Sequence, residues 1–86
     1  MKATIYGKNS CPYCVKAKAL LTEKGATLTE YEVGVSPQAA TRGQVALALG
    51  VDADKITTVP QIMLDEGDGP RYIGGYTDLA KHFGVL

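Results

Sequence analysis

Cys11 and Cys14 are the only cysteines in the chain, and just Pro12 and Tyr13 separate them. A turn-rich stretch, Gly7-Lys8-Asn9-Ser10, precedes the pair, and a helix-like run from Val15 to Lys24 follows it. Two thiols at this spacing suit thiol–disulfide exchange. A sulfur at a helix start meets unpaired N–H groups and the positive dipole end, which favour an anion. That setting populates the thiolate, the attacking species. Cys14 falls one turn further in, is expected to be more buried, and would keep its proton until it resolves a mixed disulfide. Two other uses of the pair fit less well. A closed structural zinc site takes four ligands, and the only further candidate is His82, far along the chain. No metal is therefore expected. A purely structural disulfide closing so small a loop would constrain the unfolded chain little.

Whatever positions the pair must be built from 86 residues, which suit one domain spanning residues 1–86 with a modest core. The apolar fraction, 45%, is ordinary for a globular chain. Nine basic and nine acidic residues cancel, so neither a nucleic-acid footprint nor a polybasic membrane patch is expected. The longest uncharged apolar run, Val45 to Val51, is far short of the ~20 residues a membrane helix needs. Lys2 is followed by no apolar leader-like core, and cysteines are few. The expectation is a cytoplasmic protein in a reducing compartment.

The elements follow from pattern and punctuation. Lys2 to Tyr6 alternates and is rich in strand formers. Pro12 suits a first helical turn. In the helix after it, Ala17, Leu20, Leu21 and the stem of Lys24 share a face, and Gly25 ends it. Thr27 to Val33 is a second strand, with Leu28, Tyr31 and Val33 as its apolar positions. Ser36-Pro37 reads as an N-cap and N1, predicting a helix from Pro37 to Leu49 with Ala40, Val45, Ala48 and Leu49 inward, Gly43 in its interior and Gly50 at its end. Gln61 to Leu64 is a third strand with Pro60 at its start. Asp65 to Gly69 is a hairpin turn and Pro70 to Ile73 the return strand. Thr77 reads as the N-cap of a last helix ending at Phe83, with Leu79 and Phe83 on its apolar face. The order is β-α-β-α-β-β-α. The fold class is α/β: a βαβ unit and a hairpin in a four-stranded mixed sheet with three flanking helices. A CxxC after the first strand of such a unit is a thioredoxin-like signature.

Three blocks, Cys11-Pro12-Tyr13-Cys14, Thr58-Val59-Pro60-Gln61 and Gly74-Gly75-Tyr76-Thr77-Asp78, lie in the order and near the spacing of a known family. The chain resembles the dithiol glutaredoxins, especially the small bacterial and phage members. The resemblance implies a glutathione-dependent thiol–disulfide oxidoreductase with glutathione as co-substrate. It implies Cys11 as nucleophile and Cys14 as resolving thiol. It puts Tyr13 beside glutathione, has Val59 pair its backbone with the glutathione cysteine like an added strand, with Thr58 and Pro60 beside it in the site, and implies a cis Val59–Pro60 bond. Tyr76, Thr77 and Asp78 would hold the γ-glutamyl end, with Gly75 beside them in the site, and Lys8 would meet the glycyl carboxylate and help favour the Cys11 thiolate, with Arg42 as a weaker candidate for that carboxylate. The implied partners are disulfide-bonded or glutathionylated proteins, ribonucleotide reductase among them, acting on a chain expected to be a monomer.

Residue types alone leave other uses open. Lys8 also fits a solvated loop charge, Tyr13 an exposed ring, Gly74 and Gly75 backbone geometry, and Asp78 a first-turn acid. His82 reads as a surface residue near a helix C-terminus. Two departures stand out: Gly34 replaces an acidic residue common in relatives, and the last helix is short. A glutaredoxin-like protein reduced by thioredoxin reductase is a rival, which the Tyr76-Thr77-Asp78 segment argues against. A dimeric iron–sulfur module is another, and Pro12 argues against that one.

Overall fold

The computed structural model describes all 86 residues. Strand β1 (Lys2–Gly7) runs into the loop that carries the thiols, and helix α1 (Pro12–Glu23) starts there. Then come β2 (Thr27–Glu32), a 3-10 turn at Pro37–Ala39, α2 (Arg42–Leu49), a second 3-10 turn at Ala53–Lys55, β3 (Gln61–Asp65), β4 (Pro70–Gly74) and α3 (Tyr76–His82). The sheet order is β2-β1-β3-β4. β1 pairs parallel with β2 and antiparallel with β3, and β3 pairs antiparallel with β4. This is the four-stranded mixed sheet with three helices that the sequence predicts.

Because side chains alternate along a strand, the central strands feed two cores. Ala3 and Ile5 point to one face, joined by Ile62 and Leu64 of β3, and are covered by Ala17, Leu20 and Leu21 of α1 and Leu79 and Ala80 of α3. Tyr6 points to the other face, where Ala39, Val45, Ala46, Leu49 and Ile56 cover it and Tyr31, Met63 and Tyr72 pack alongside. Tyr6 and Tyr31 are register partners, with ring centroids 5.4 Å apart. α1 and α3 thus share one face and α2 has the other. Leu21, Ile62, Leu64 and Leu79 are the bulkiest fully buried aliphatic side chains. Truncating a leucine or isoleucine of this kind to Ala costs about 2–5 kcal/mol.

The first and last strands keep their expected places, with bounds moved by a residue. Lys24 is exposed, but its Nζ stands 5.6 Å from the Phe83 ring centroid, so its charge caps the apolar edge between α1 and α3. Two helix starts differ from expectation. The stretch from Pro37 is not one helix. Ser36 is the N-cap residue of the 3-10 turn, with Pro37 at its start, but its side chain makes no cap bond; its Oγ accepts the Glu32 N–H at 2.8 Å and closes the turn after β2. The chain turns once, extends at Thr41 (φ −129, ψ 157), and restarts as α2 with a capping box. Thr41 Oγ1 accepts the Gln44 N–H at 3.2 Å, and Gln44 Oε1 accepts the Thr41 N–H at 3.0 Å. The break resets the helical phase. Ala39, Val45, Ala46 and Leu49 face inward, whereas Ala40 and Ala48 are exposed. Gly43 sits in the first turn of α2 rather than in its interior. In α3 the N-cap is Gly75, not Thr77, because the Asp78 carboxylate accepts the Gly75 N–H at 3.2 Å and sets the start two residues earlier.

The cap reading of α2 has a direct test. Thr41→Ala removes the reciprocal pair and is expected to lower stability by about 1 kcal/mol. Denaturant melting checks this, with the midpoint falling and the m-value unchanged. An unchanged midpoint would show that packing of Val45 and Leu49 alone sets where α2 begins.

Candidate functional site

The site is assembled where β1 ends. Cys11 is the N-cap of α1, with extended backbone (φ −97, ψ 113), and Pro12 occupies the first helical position. The Cys11 Sγ accepts the Cys14 N–H at 3.1 Å, so the sulfur does the capping work that a Ser or Asp oxygen usually does. The Cys11 N–H is satisfied by the Lys8 carbonyl at 3.4 Å, and the Cys11 carbonyl accepts the first helical bond, from Val15, at 3.2 Å. Both cysteines are free thiols. Cys11 is half-buried, whereas Cys14 is 2% exposed. The burial of Cys14 has a specific cause: an added Cβ on Gly7 would stand 2.8 Å from Cys14 Sγ, so only glycine lets that sulfur lie against β1.

Burial pushes the Cys14 thiol from an ordinary 9.0 up to about 11, reinforced by the hydrogen bond it shares with Cys11 and opposed by the Lys8 backbone and the Lys18 charge. The inner sulfur is therefore held as a neutral thiol. The outer one is turned the other way, and its S–H reaches the Val59 carbonyl at 3.6 Å.

Across from Cys11 lies a groove of about 320 Å³. It gathers Tyr13 from α1, Thr58, Val59 and Pro60 from the segment before β3, and Gly75, Tyr76, Thr77 and Asp78 from the start of α3. These eight positions, singled out in three separate sequence blocks, share one wall-to-wall space. The Val59–Pro60 bond is cis, as the resemblance implies. Tyr13 is 55% exposed, and its ring stands 6.1 Å from that of Tyr76, with Lys16 Nζ 5.2 Å over its outer face. Gly74 has φ +117, and a Cβ there would meet Asp78 Oδ2 at 2.5 Å, so the turn into α3 needs glycine.

Lys8 is not in that groove. It is exposed and lines a separate cavity on the β2 side of β1, together with Cys14. Arg42 is exposed at the first turn of α2. His82 is exposed, and its Nε2 pairs with Glu66 Oε1 of the hairpin at 2.8 Å. No group of three or more His, Cys, Asp or Glu side chains is placed to hold a metal ion.

Sequence reasoning quoted Gln61 in a motif but gave it no task. It is the one buried polar side chain, 3% exposed. Its Nε2 donates to the Thr58 carbonyl at 2.8 Å, and its Oε1 accepts the Tyr72 hydroxyl at 2.5 Å. A buried amide with both ends satisfied is a rigid strut, and this one ties the Thr58–Pro60 segment to β4. The available signal was a polar residue opening an otherwise apolar strand.

A βαβ unit followed by a hairpin, with the CxxC pair capping its first helix, defines a protein of the thioredoxin-like class. A family model described as Glutaredoxin matches residues 3–67. Glutaredoxin 3 of Escherichia coli (strain K12) is 41% identical over 75 residues, 87% of this chain and 77% of that protein. Glutaredoxin 1 of the same strain is 32% identical over 83 residues, 93% of this chain and 89% of that protein. The crystal structure of glutaredoxin 1 from Francisella tularensis complexed with cacodylate is similar with a TM-score of 0.69 at 30% identity, covering 95% of this chain and 91% of that one. The chain belongs to the glutaredoxin family, whose members are thiol–disulfide oxidoreductases.

The raised Cys14 thiol makes stability pH-dependent. Below pH 9 the folded and unfolded chains both hold the proton and the contribution is intact. As pH rises from 9.0 toward about 11 only the unfolded chain ionises, and the contribution is lost. The melting temperature of the reduced protein should therefore fall more steeply over that window than that of Cys14→Ser. Tyr6 and Tyr72, both pushed up by burial, titrate in both proteins and cancel in the difference. Parallel curves would mean that the folded and unfolded states ionise this thiol equally.

Proposed function

We propose that the chain reduces protein disulfides and glutathione mixed disulfides through Cys11 and Cys14, with glutathione as co-substrate. The observation that carries this reading is the groove beside Cys11, which brings Tyr13, Thr58–Pro60 and Gly75–Asp78 together next to the accessible sulfur. Family membership supplies the prior for glutathione, and the groove supplies the fit.

Each end of a glutathione molecule finds suitable chemistry. Thr58 to Pro60 lie outside the ladder of β3 and offer backbone to a short extended peptide, in the manner of an added strand. Asp78 offers a carboxylate to the γ-glutamyl ammonium. Thr77, exposed at the second position of α3 and free of a capping task, offers its hydroxyl and N–H to the neighbouring carboxylate. Tyr13 and Tyr76 flank the mouth and supply apolar area. Lys8, from the opposite side of the thiol loop, is assigned to the glycyl carboxylate on the family resemblance.

The chemistry divides between the sulfurs. The Cys11 thiolate attacks a substrate disulfide, one substrate sulfur leaves with the electron pair, and a mixed disulfide remains on Cys11. Cys14 then loses its proton and attacks Cys11 Sγ, releasing the second substrate sulfur and leaving a Cys11–Cys14 disulfide. Two glutathione thiols reduce that disulfide in succession, by way of a mixed disulfide on Cys11. A glutathionylated substrate needs only the first sulfur: Cys11 takes the glutathione and a second glutathione removes it. We assign this activity to cell redox homeostasis in the cytoplasm, carried out by a monomer with 1–86 as its single domain.

Two variants test the reading. Cys14→Ser should keep much of the turnover of a small glutathione mixed disulfide, measured with glutathione, glutathione reductase and NADPH, while losing most dithiol reduction. Cys11→Ser should lose both, and the reverse pattern would exchange the two roles. Asp78→Asn keeps an oxygen for the Gly75 N–H but removes the charge. It should raise the KM for glutathione about tenfold, the scale of a lost charge-assisted hydrogen bond, with little change in melting temperature. An unchanged KM would leave Asp78 only its cap.

A further inference from the structure

The thiol loop has a second recess, and apart from Lys8 on its wall none of the steps above uses it. A cavity of about 230 Å³ lies on the β2 side of β1, whereas the groove lies on the β3 and α3 side. Its walls include Gly7, Lys8, Cys14, Lys18, Glu30 and Glu32. The sequence makes this gathering unavoidable once α1 packs on the sheet. Cys14 and Lys18 are four residues apart and share a helical face. Glu30 and Glu32 are two apart on a strand and share a sheet face. The register sets them beside Ile5 and Gly7. Ile5 packs into the core that α1 covers, so both carboxylates rise on the side of α1. Lys18 Nζ meets Glu30 Oε1 at 3.1 Å, with side chains 37% and 54% exposed.

We propose that this cavity is the route by which Cys14 gives up its proton in the resolving step, and that Lys18, with its charge moderated by Glu30, is the positioning residue that sets how readily this happens. The inference rests on the dithiol reaction proposed above. In that reaction the Cys14 S–H proton passes to solvent in the cavity, and the Cys14 sulfur forms a bond to Cys11 Sγ. The bond from Cys11 Sγ to the substrate sulfur breaks, and the substrate leaves as a thiolate that solvent reprotonates. The two cysteine sulfurs end oxidised and the substrate sulfur reduced.

The cavity suits this task for three reasons. The Cys14 sulfur lies against Gly7 and away from bulk water, so its proton needs a polar exit. The ionisable groups around it are Lys18 on its own helix, Glu30 and Glu32 on β2, Lys8 in the loop, and Cys11 at the cap, while Tyr31 between the two carboxylates stacks its ring with Tyr6 on the opposite face. Among these the Lys18 ammonium favours the Cys14 thiolate, against burial and against Cys11. Glu30 holds that ammonium by one oxygen and offsets part of its charge. A half-exposed pair of this kind contributes little to folding. Its substitution therefore tests chemistry rather than fold.

The test is single-turnover reduction of a disulfide-bonded peptide by excess reduced protein, with release of the second peptide thiol followed from pH 6 to 10. Lys18→Gln should move the rising limb of release to higher pH and slow release at neutral pH about fivefold, since one unit of thiol ionisation is tenfold in thiolate and exposure screens part of it. Lys18→Arg should restore the wild-type limb. Glu30→Gln should move the limb the other way, to lower pH. The same substitutions in the Cys14→Ser background report the single-thiol exchange, which has no Cys14 proton to lose and should stay within about twofold, the size of a screened surface-charge effect. An unmoved limb in Lys18→Gln overturns the inference. So do limbs that move in the same direction for Lys18→Gln and Glu30→Gln, the outcome of a merely structural pair, and so does an equal slowing of both reactions. Wild-type protein that forms the adduct but never releases the second thiol refutes the dithiol reaction itself.

Discussion

The hydrogen bond from the Cys14 N–H to the Cys11 sulfur is the contact on which the rest of the site depends. It satisfies a donor that every helix start leaves open, and it fixes the outer sulfur at the positive end of α1. The same bond makes the two thiols unequal. The capping position is at the rim by construction, and three residues further on the chain has already turned under the helix. Gly7 completes the asymmetry, because its missing side chain leaves the room that Cys14 Sγ occupies. One cap and one glycine thus separate an accessible sulfur from a buried one.

The sheet order turns that asymmetry into two environments. β1 is central, with β2 on one side and β3 on the other. The groove borders the β3 side, where the Thr58–Pro60 segment and the start of α3 converge, and it serves the outer sulfur. The charged recess borders the β2 side and is lined by the inner one. The two sulfurs thus face different surroundings although a single turn of helix holds them. Gln61 bears on the first of these. By bonding the Thr58 carbonyl and the Tyr72 hydroxyl, it transmits the position of β4 to the groove wall.

Helix starts show where local pattern misleads. Ser36-Pro37 and Thr77 both have the composition of an N-terminus, yet neither caps its helix through its side chain. Ser36 is drawn to the Glu32 N–H at the end of β2. Thr77 loses the position because Asp78, one residue on, reaches back to Gly75. At Ser36 one acceptor has two donors within reach, at α3 a neighbouring acceptor sets the start, and in both cases geometry outside the motif decides. Thr41 and Gln44 win at α2 because each satisfies the other.

By itself the sequence determined the element order, the face of α1 that meets the sheet, and the thiol pair with its capping place. These depend on periodicity, on glycine and proline, and on spacing within a few residues, all of which are local. It also named the residues of the groove, through three motifs whose joint occurrence marks a family. Only the tertiary structure decided that those motifs share one space while Lys8 stands apart from it, that Gln61 is a buried strut, and that Lys18 and Glu30 meet behind Cys14. Such facts depend on which strands become neighbours and in what register. That choice is made by burying Ile5, Leu21, Ile62, Leu64 and Leu79 together. The energy that makes it is spread over the whole core, so no short stretch of sequence displays it.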